Sequence, residues 1–386
     1  MKPYSIDDLL QTARDRTGLS DFGPVDYIEA LNVLVKGINE EVNVADDRWD
    51  ALRERFLRLL MNRLWFAKDL NDHPQILDED VGSPIVISSL PRTASTKLHR
   101  MLGAAAEDFQ TMKMWQTNMF ARIPGLPDGG KARRIQESRD YEAWIYRTSP
   151  LFIIGHPIFT DEPEEDKDLG EFTFRHTTIL GMFGTLSYAA WVMQADMTPM
   201  YDYLLTQLKY LQWQEPRNKR PWLLKTPCHF GYERHLCRIF DKPRFVVIHR
   251  DPAKCIPSIS TTSMASRVRY SDDDSSANLG ASVTALFSNC SNEHIKWRDE
   301  TPGLAILDIG YDELNSDAMS AARKIYDYFG MPLTAKSEAA MRRWEDNNRR
   351  DKHPPNQYSA AAIGMTEHDI RNAFKGYVER FPTFVT

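Results

Sequence analysis

A chain of 386 residues can hold one large α/β domain or two smaller ones. Its 42% hydrophobic and 26% charged content is that of an ordinary globular protein. The formal net charge of −6 argues against a general nucleic-acid binder, though not against a local basic pocket for one nucleotide. Cys228, Cys237, Cys255 and Cys290 show neither a C-x-x-C pair nor zinc spacing, and read as reduced thiols. The start MKPYSIDDLL lacks the apolar core of a signal peptide, and no run approaches a membrane span. A cytoplasmic protein is expected.

Residues 1–80 read as helical. Ser5 with Asp8 three residues on gives an N-cap signal, and Trp49, Leu52, Phe56, Leu59, Leu60 and Leu64 form an apolar stripe over 48–68. The richest stretch follows. Ile85-Val86-Ile87 is a β-branched run suited to a buried strand, and Leu98, Met101, Leu102 and Ala105 recur at helical spacing. Between them lies the hydroxyl-rich loop Leu90-Pro-Arg-Thr-Ala-Ser-Thr96. Strand, tight loop and helix form a phosphate site, because the first N–H groups of a helix have no intrahelical partners and carry partial positive charge. Thr93, Ser95 and Thr96 add hydroxyls, and Arg92 adds charged donors. A nucleoside-triphosphatase loop would need G-x-x-x-x-G-K-[ST]; this loop has no Gly, and Lys97 precedes Leu98.

Further on, Lys113-Met-Trp115-Gln116 is expected as a short strand or its end, and 121–134 as an exposed loop rich in Gly, Pro and charge. Residues 150–200 are rich in aromatics and Met, including Phe172, Phe174, Met182, Phe183, Tyr188, Trp191 and Met193, which suit an apolar acceptor pocket or simply a core. Within them, Asp161-Glu-Pro-Glu-Glu-Asp166 reads as a solvated loop, a helix start or, least favoured, a metal site. Trp222-Leu-Leu224 and Phe245-Val-Val-Ile248 read as strands, with a helix over His229–Phe240, and Leu304–Ile309 as another strand. This alternation implies a parallel sheet with ligands at the carboxyl ends of its strands, where Arg92, Lys225 and Arg250 would converge. A helix over 317–329 closes with Gly330 and Pro332.

Three motifs together carry a resemblance. P-R-T-x-S-T-x-L-H over 91–99 resembles the 5′-phosphosulfate loop of sulfotransferases that use 3′-phosphoadenosine-5′-phosphosulfate (PAPS). The usual family form has Gly where Ala94 stands, and Ala fits there only with φ < 0. L-K-T-P-x-H at 224–229, with V-x-x-H-R-D-P and Ser258 following, resembles the family's pattern for catalysis and 3′-phosphate binding. Tyr311-Asp312-Glu313-Leu314 resembles its Y-[ED]-D-L segment. The resemblance spans roughly 80–384.

It implies an α/β fold: a P-loop-type parallel sheet flanked by helices in three αβα layers. It implies a sulfotransferase domain at 81–386 with a helical substrate lid at about 135–215, and residues 1–80 as a helical extension packed on the core. The implied reaction moves the sulfuryl group of PAPS to a hydroxyl of a small, apolar acceptor and releases PAP, with no metal. Arg92, Thr93, Ala94, Ser95, Thr96 and Lys97 would hold the 5′ side, Arg250 and Ser258 the 3′-phosphate, and Tyr311 would lie near the adenine. Arg92 and Lys225 would neutralise charge on the transferred group.

His229 is the first candidate for the base; His176, His156 and Glu165 compete, and a helix-capping His229 is the alternative. Some family branches place a Glu base near 116, where Gln116 cannot take a proton. Of Arg349, Arg350, Lys352 and His353, any could reach the 3′-phosphate. The resemblance is compatible with a homodimer and implies neither nucleic acid nor a transmembrane segment. A P-loop small-molecule kinase and a non-catalytic nucleotide-binding protein are the competing readings.

Overall fold

The computed structural model describes residues 4–215, 220–271, 279–348 and 358–385. Four strands form one sheet: β1 (Ile85–Ile87), β2 (Leu223–Lys225), β3 (Arg244–His249) and β4 (Ile306–Gly310). They lie in the order β2-β1-β3-β4, all parallel, with Ile85 opposite Leu223 and Arg244, and Phe245 opposite Ile306. The β-branched runs suit this position because the sheet is covered on both faces. Ile85, Ile87, Val246 and Ile248 pack with Leu98, Met101, Leu102, Ile325 and Tyr326 on one face. On the other, Val86, Leu224 and Phe245 join a large aromatic cluster, and Val247 joins a third with Leu90, Ile256 and Tyr377. Helices on both faces give the three-layer arrangement that the alternation of strand and helix signals requires.

The N-terminal segment supplies α1 (Ile6–Thr17), α2 (Tyr27–Glu41) and α3 (Trp49–Asp72). Leu9, Leu31, Phe56 and Leu60 belong to the same core cluster as Val86 and Leu224, so these helices share an interior with the sheet. Ser5 stands at the N-cap of α1, but its side chain makes no cap bond. Helix α4 (Ser95–Gly103) begins directly after the loop that follows β1.

Several expected elements differ. Lys113–Gln116 is not a strand: Met114–Asn118 forms a short helix, α5. Lys113 makes an isolated antiparallel bridge with Pro163, flanked by the Met114 N–H bond to Glu162 O, and the chain then turns into helix with Gln116 Oε1 accepting from the Lys113 backbone N–H at 2.9 Å. The expected loop at 121–134 stops at Gly130, and helix runs over Lys131–Thr148. The expected helix over His229–Phe240 is shorter, Glu233–Ile239, preceded by a 3-10 turn at Pro227–His229 whose N-cap Thr226 accepts from the Cys228 N–H. Gly330 sits at φ 62°, just past the helix Ala318–Tyr328. Among the described residues no helix is long and apolar enough to cross a membrane.

Candidate active site

Each strand delivers one part of the site at its carboxyl end. β1 leads into the loop Ser88–Ala94, β2 ends on Lys225, β3 is followed by Arg250, and β4 is followed at once by Tyr311. The loop is folded tightly without a single glycine. Arg92 has φ 67° and Ala94 φ 63°, both in the left-handed region. The requirement of φ < 0 at Ala94 is therefore not met, and this alanine takes the conformation that glycine adopts at no steric cost. An L-residue loses about 1–2 kcal/mol there. Ala94→Gly should consequently leave stability unchanged or raise it by up to about 1 kcal/mol, whereas the same exchange inside a helix costs about 1 kcal/mol. Urea unfolding of the two proteins measures the difference.

The hydroxyls of the loop divide. Thr93 is fully buried; its Oγ1 lies 2.9 Å from Ser89 Oγ and donates to Leu90 O at 3.0 Å, so it staples the loop instead of facing a ligand. Ser95 and Thr96 line a cavity of about 1660 Å³, beside Arg92, Ala94, Lys97, Arg250, Ser258 and Tyr311. Lys97 Nζ also meets Glu345 at 3.2 Å.

The Arg92 guanidinium turns toward the helix that follows β3. Its Nε donates to Ser258 Oγ at 2.9 Å and its Nη1 to Gly155 O at 2.6 Å. Arg250 Nη1 donates to Arg92 O at 2.6 Å, and its guanidinium carbon lies 3.8 Å from the centre of the Tyr311 ring. Arg92, Arg250 and Ser258 thus gather on one side of the loop, with an aromatic ring beside them. That set suits a phosphate dianion next to a flat base.

On the other side, Lys225 is 1% exposed. Its Nζ donates to Thr96 Oγ1 at 2.8 Å and to Glu165 Oε1 at 2.5 Å. Glu165 itself lines the cavity. Burial pushes its carboxyl up, but Lys225 and Lys167 outweigh that and hold it below the usual glutamate range.

The acidic stretch is therefore not a solvated loop. Glu164, Glu165 and Asp166 are all buried, and each carboxylate takes a different basic partner. Glu164 pairs with Arg100 at 3.2 Å, Glu165 with Lys225, and Asp166 with His229. His156 lies 3.7 Å from Glu164, and these two with Glu165 could in principle surround a cation. The protein already offers positive partners to both carboxylates.

His229 occupies a different place from the one expected of a base. It is 2% exposed, with Nε2 at 2.5 Å from Asp166 Oδ2 and Nδ1 at 3.2 Å from Tyr201 OH. Both ring nitrogens are thus engaged by buried protein groups, and the cavity wall at this turn is made by Pro227 and Cys228 instead. His176 is also buried; burial lowers its pKa, but its partner Cys228 outweighs that and raises it. His156 does reach the cavity. Arg349, Arg350, Lys352 and His353 lie outside the described residues.

Sequence reasoning named Glu164 and Asp166 only as part of the acidic stretch, and passed over Tyr201 and Arg100. Nothing local marks them, because their partners sit in other strands and helices. Elsewhere the cavity wall mixes apolar side chains, among them Ile145, Phe152, Ile153, Met182, Met193 and Phe287, with a polar patch that includes Arg55, Arg58, Glu171 and Arg269.

Comparison with known proteins fits this geometry. The chain is similar in fold to the sulfotransferase STF9 from Mycobacterium avium, with TM-score 0.85, 24% identity, and coverage of 98% of this chain and 96% of that one. It is likewise similar to the sulfotransferase STF1 from Mycobacterium tuberculosis H37Rv, with TM-score 0.78, 23% identity, and coverage of 97% and 99%. No curated protein matches the sequence. The model of the sulfotransferase family matches residues 84–335, from the strand before the phosphate loop to beyond the tyrosine that follows β4, and the chain belongs to that family.

Proposed function

We propose that this protein transfers the sulfuryl group of PAPS to a hydroxyl of a largely apolar small molecule and releases PAP. The observation that carries the reading is Lys225: one ammonium bridges Thr96 of the phosphate loop and Glu165 on the wall of an apolar cavity. It thereby joins a donor site to an acceptor site.

The free N–H groups at the start of α4, with Ser95 and Thr96, would hold the 5′-phosphate. Arg92, Arg250 and Ser258 would hold the 3′-phosphate, which distinguishes PAPS from ATP, and Tyr311 would lie against the adenine. In the transfer, the acceptor oxygen forms a bond to sulfur as the bond from sulfur to the 5′-phosphate oxygen breaks. Glu165 takes the hydroxyl proton, and Lys225 stabilises charge on the departing phosphate oxygen. Glu165 suits the base role because it faces the cavity. His229, engaged at both nitrogens, positions Asp166, which in turn accepts from the Lys225 backbone N–H at 2.9 Å. The aromatic and methionine side chains around Phe152 and Met193 favour a phenol, lipid or steroid-like alcohol over a glycan.

Thermal stabilisation by PAP, adenosine 5′-phosphosulfate, ADP and Mg-ATP tests the donor. Ligand at a hundredfold excess over Kd adds about 2.7 kcal/mol to the native state, a rise in Tm of several degrees. PAP should produce it, and Arg250→Ala should remove most of it. A shift with Mg-ATP and none with PAP would make the protein a kinase instead.

A further inference from the structure

Away from the phosphate loop, the cavity wall carries three arginines around one carboxylate. Arg55 of α3 donates to Glu171 Oε2 at 2.5 Å and to Tyr141 OH at 2.8 Å. One turn along the helix, Arg58 donates to Asn118 O at 2.5 Å and stands 5.4 Å from the centre of the Tyr141 ring. Arg269 is 4% exposed and lies 4.1 Å from the centre of the Phe152 ring. Its Nε donates to Ser149 Oγ at 3.1 Å, but its buried Nη2 has no hydrogen-bond partner among the described residues. All three line the cavity.

Glu171 pairs directly with Arg55, and its single charge also faces Arg58 and Arg269. Among the described residues, neither Arg58 nor Arg269 forms an ion pair. The other carboxylates of the wall are committed elsewhere: Glu164 to Arg100, Glu165 to Lys225, Asp168 to Lys167, and Glu41 to the Leu186 backbone N–H. Burial depresses the pKa of both Arg58 and Arg269. A guanidinium nevertheless stays charged in a protein, so three cations share the one carboxylate of Glu171 and this part of the wall keeps an excess of positive charge. That excess is balanced only when an anion enters the cavity.

We propose that the acceptor is an anionic amphiphile whose carboxylate, sulfate or phosphate group is bound by Arg58 and Arg269, with its apolar body against Phe152, Ile153 and Met193. Its hydroxyl then lies at Glu165, so the assignment rests on the sulfuryl-transfer reading of that residue. The nucleotide phosphates have their own partners in Arg92, Arg250, Ser258 and Thr96, which leaves this second basic pair for the acceptor.

The test is calorimetric titration of the PAP-saturated protein with 12-hydroxydodecanoate and, separately, with the neutral 1,12-dodecanediol. A charge-assisted bond lost with the carboxylate predicts that the acid binds about tenfold tighter or more. That advantage should fall to about threefold or less in the Arg58→Gln/Arg269→Gln double variant, and partly return with Lys at both positions. Should the double variant melt below the assay temperature, each single Gln variant is expected to lose about threefold of the advantage. Equal affinity for the two ligands, an advantage that survives the double variant, or no binding of either ligand would overturn the assignment. PAP binding is scored in a separate titration of the nucleotide-free protein: its absence alongside a preserved acid preference would overturn the donor reading and leave the anion site standing.

Discussion

Replacing Glu165 by Gln is expected to lower kcat by about 10²–10⁴-fold, the usual contribution of a positioned general base. PAP should still raise the melting temperature of this variant, because the exchange lies on the acceptor side of Lys225 and leaves Arg92, Arg250 and Ser258 in place. The pH profile gives a second readout. Lys225 and Lys167 outweigh burial and keep the Glu165 carboxyl below its ordinary range. It is then ionised throughout the neutral region, and the acid limb of kcat/KM should fall below the ordinary glutamate value of about 4.3. The same depression contributes stability above that value, which is lost as pH falls through the lower folded-state pKa. His229→Gln is the control: it should lower Tm through loss of the Asp166 contact, while kcat stays within about tenfold. A larger loss with His229→Gln than with Glu165→Gln would return the base to His229.

Lys225→Met combines a kinetic and a structural loss. Removing the charge at the leaving oxygen should cost about 10²–10³ in kcat. It also leaves Glu165, itself buried, without its cation, a situation worth about 3 kcal/mol of stability. The two effects separate in the double variant. Lys225→Met with Glu165→Gln removes both charges, so most of the stability should return while activity does not. If the single variant unfolds at the same denaturant concentration as the wild type, the pair is not a buried counter-charge. If it keeps wild-type kcat, the ammonium has no part in the transfer.

What could be read beforehand was the frame. The apolar runs at 85–87, 222–224 and 245–248 placed the buried strands, and the polar segments after them placed Arg92, Lys225 and Arg250 at the carboxyl ends of the sheet. Those signals are local, and a fully covered parallel sheet leaves little else for such runs to do. The acidic stretch was harder. A run of acids such as Glu164-Glu165-Asp166 reads as solvated, because the cations that make its burial tolerable come from positions 100, 225 and 229. His229 follows Thr226 closely enough to suggest catalysis, but the enclosure of both its nitrogens by Asp166 and Tyr201 is a tertiary fact. Ala94 shows the opposite failure: a local rule forbade what the loop does, in which the Thr93 hydroxyl bond to Leu90 O and the long-range Arg250 bond to Arg92 O fix the chain just before this left-handed residue.

Those bonds bear on how fast the protein can work. The Thr93 staple and the Arg250 bond to the Arg92 carbonyl fix the loop's shape within the protein itself. The entropy of ordering this segment is lost once, during folding, and is not charged again against each nucleotide that arrives. A cradle formed in advance admits its ligand without a slow rearrangement, so nucleotide capture should be governed by diffusion and electrostatic steering, and affinity by the rate of departure.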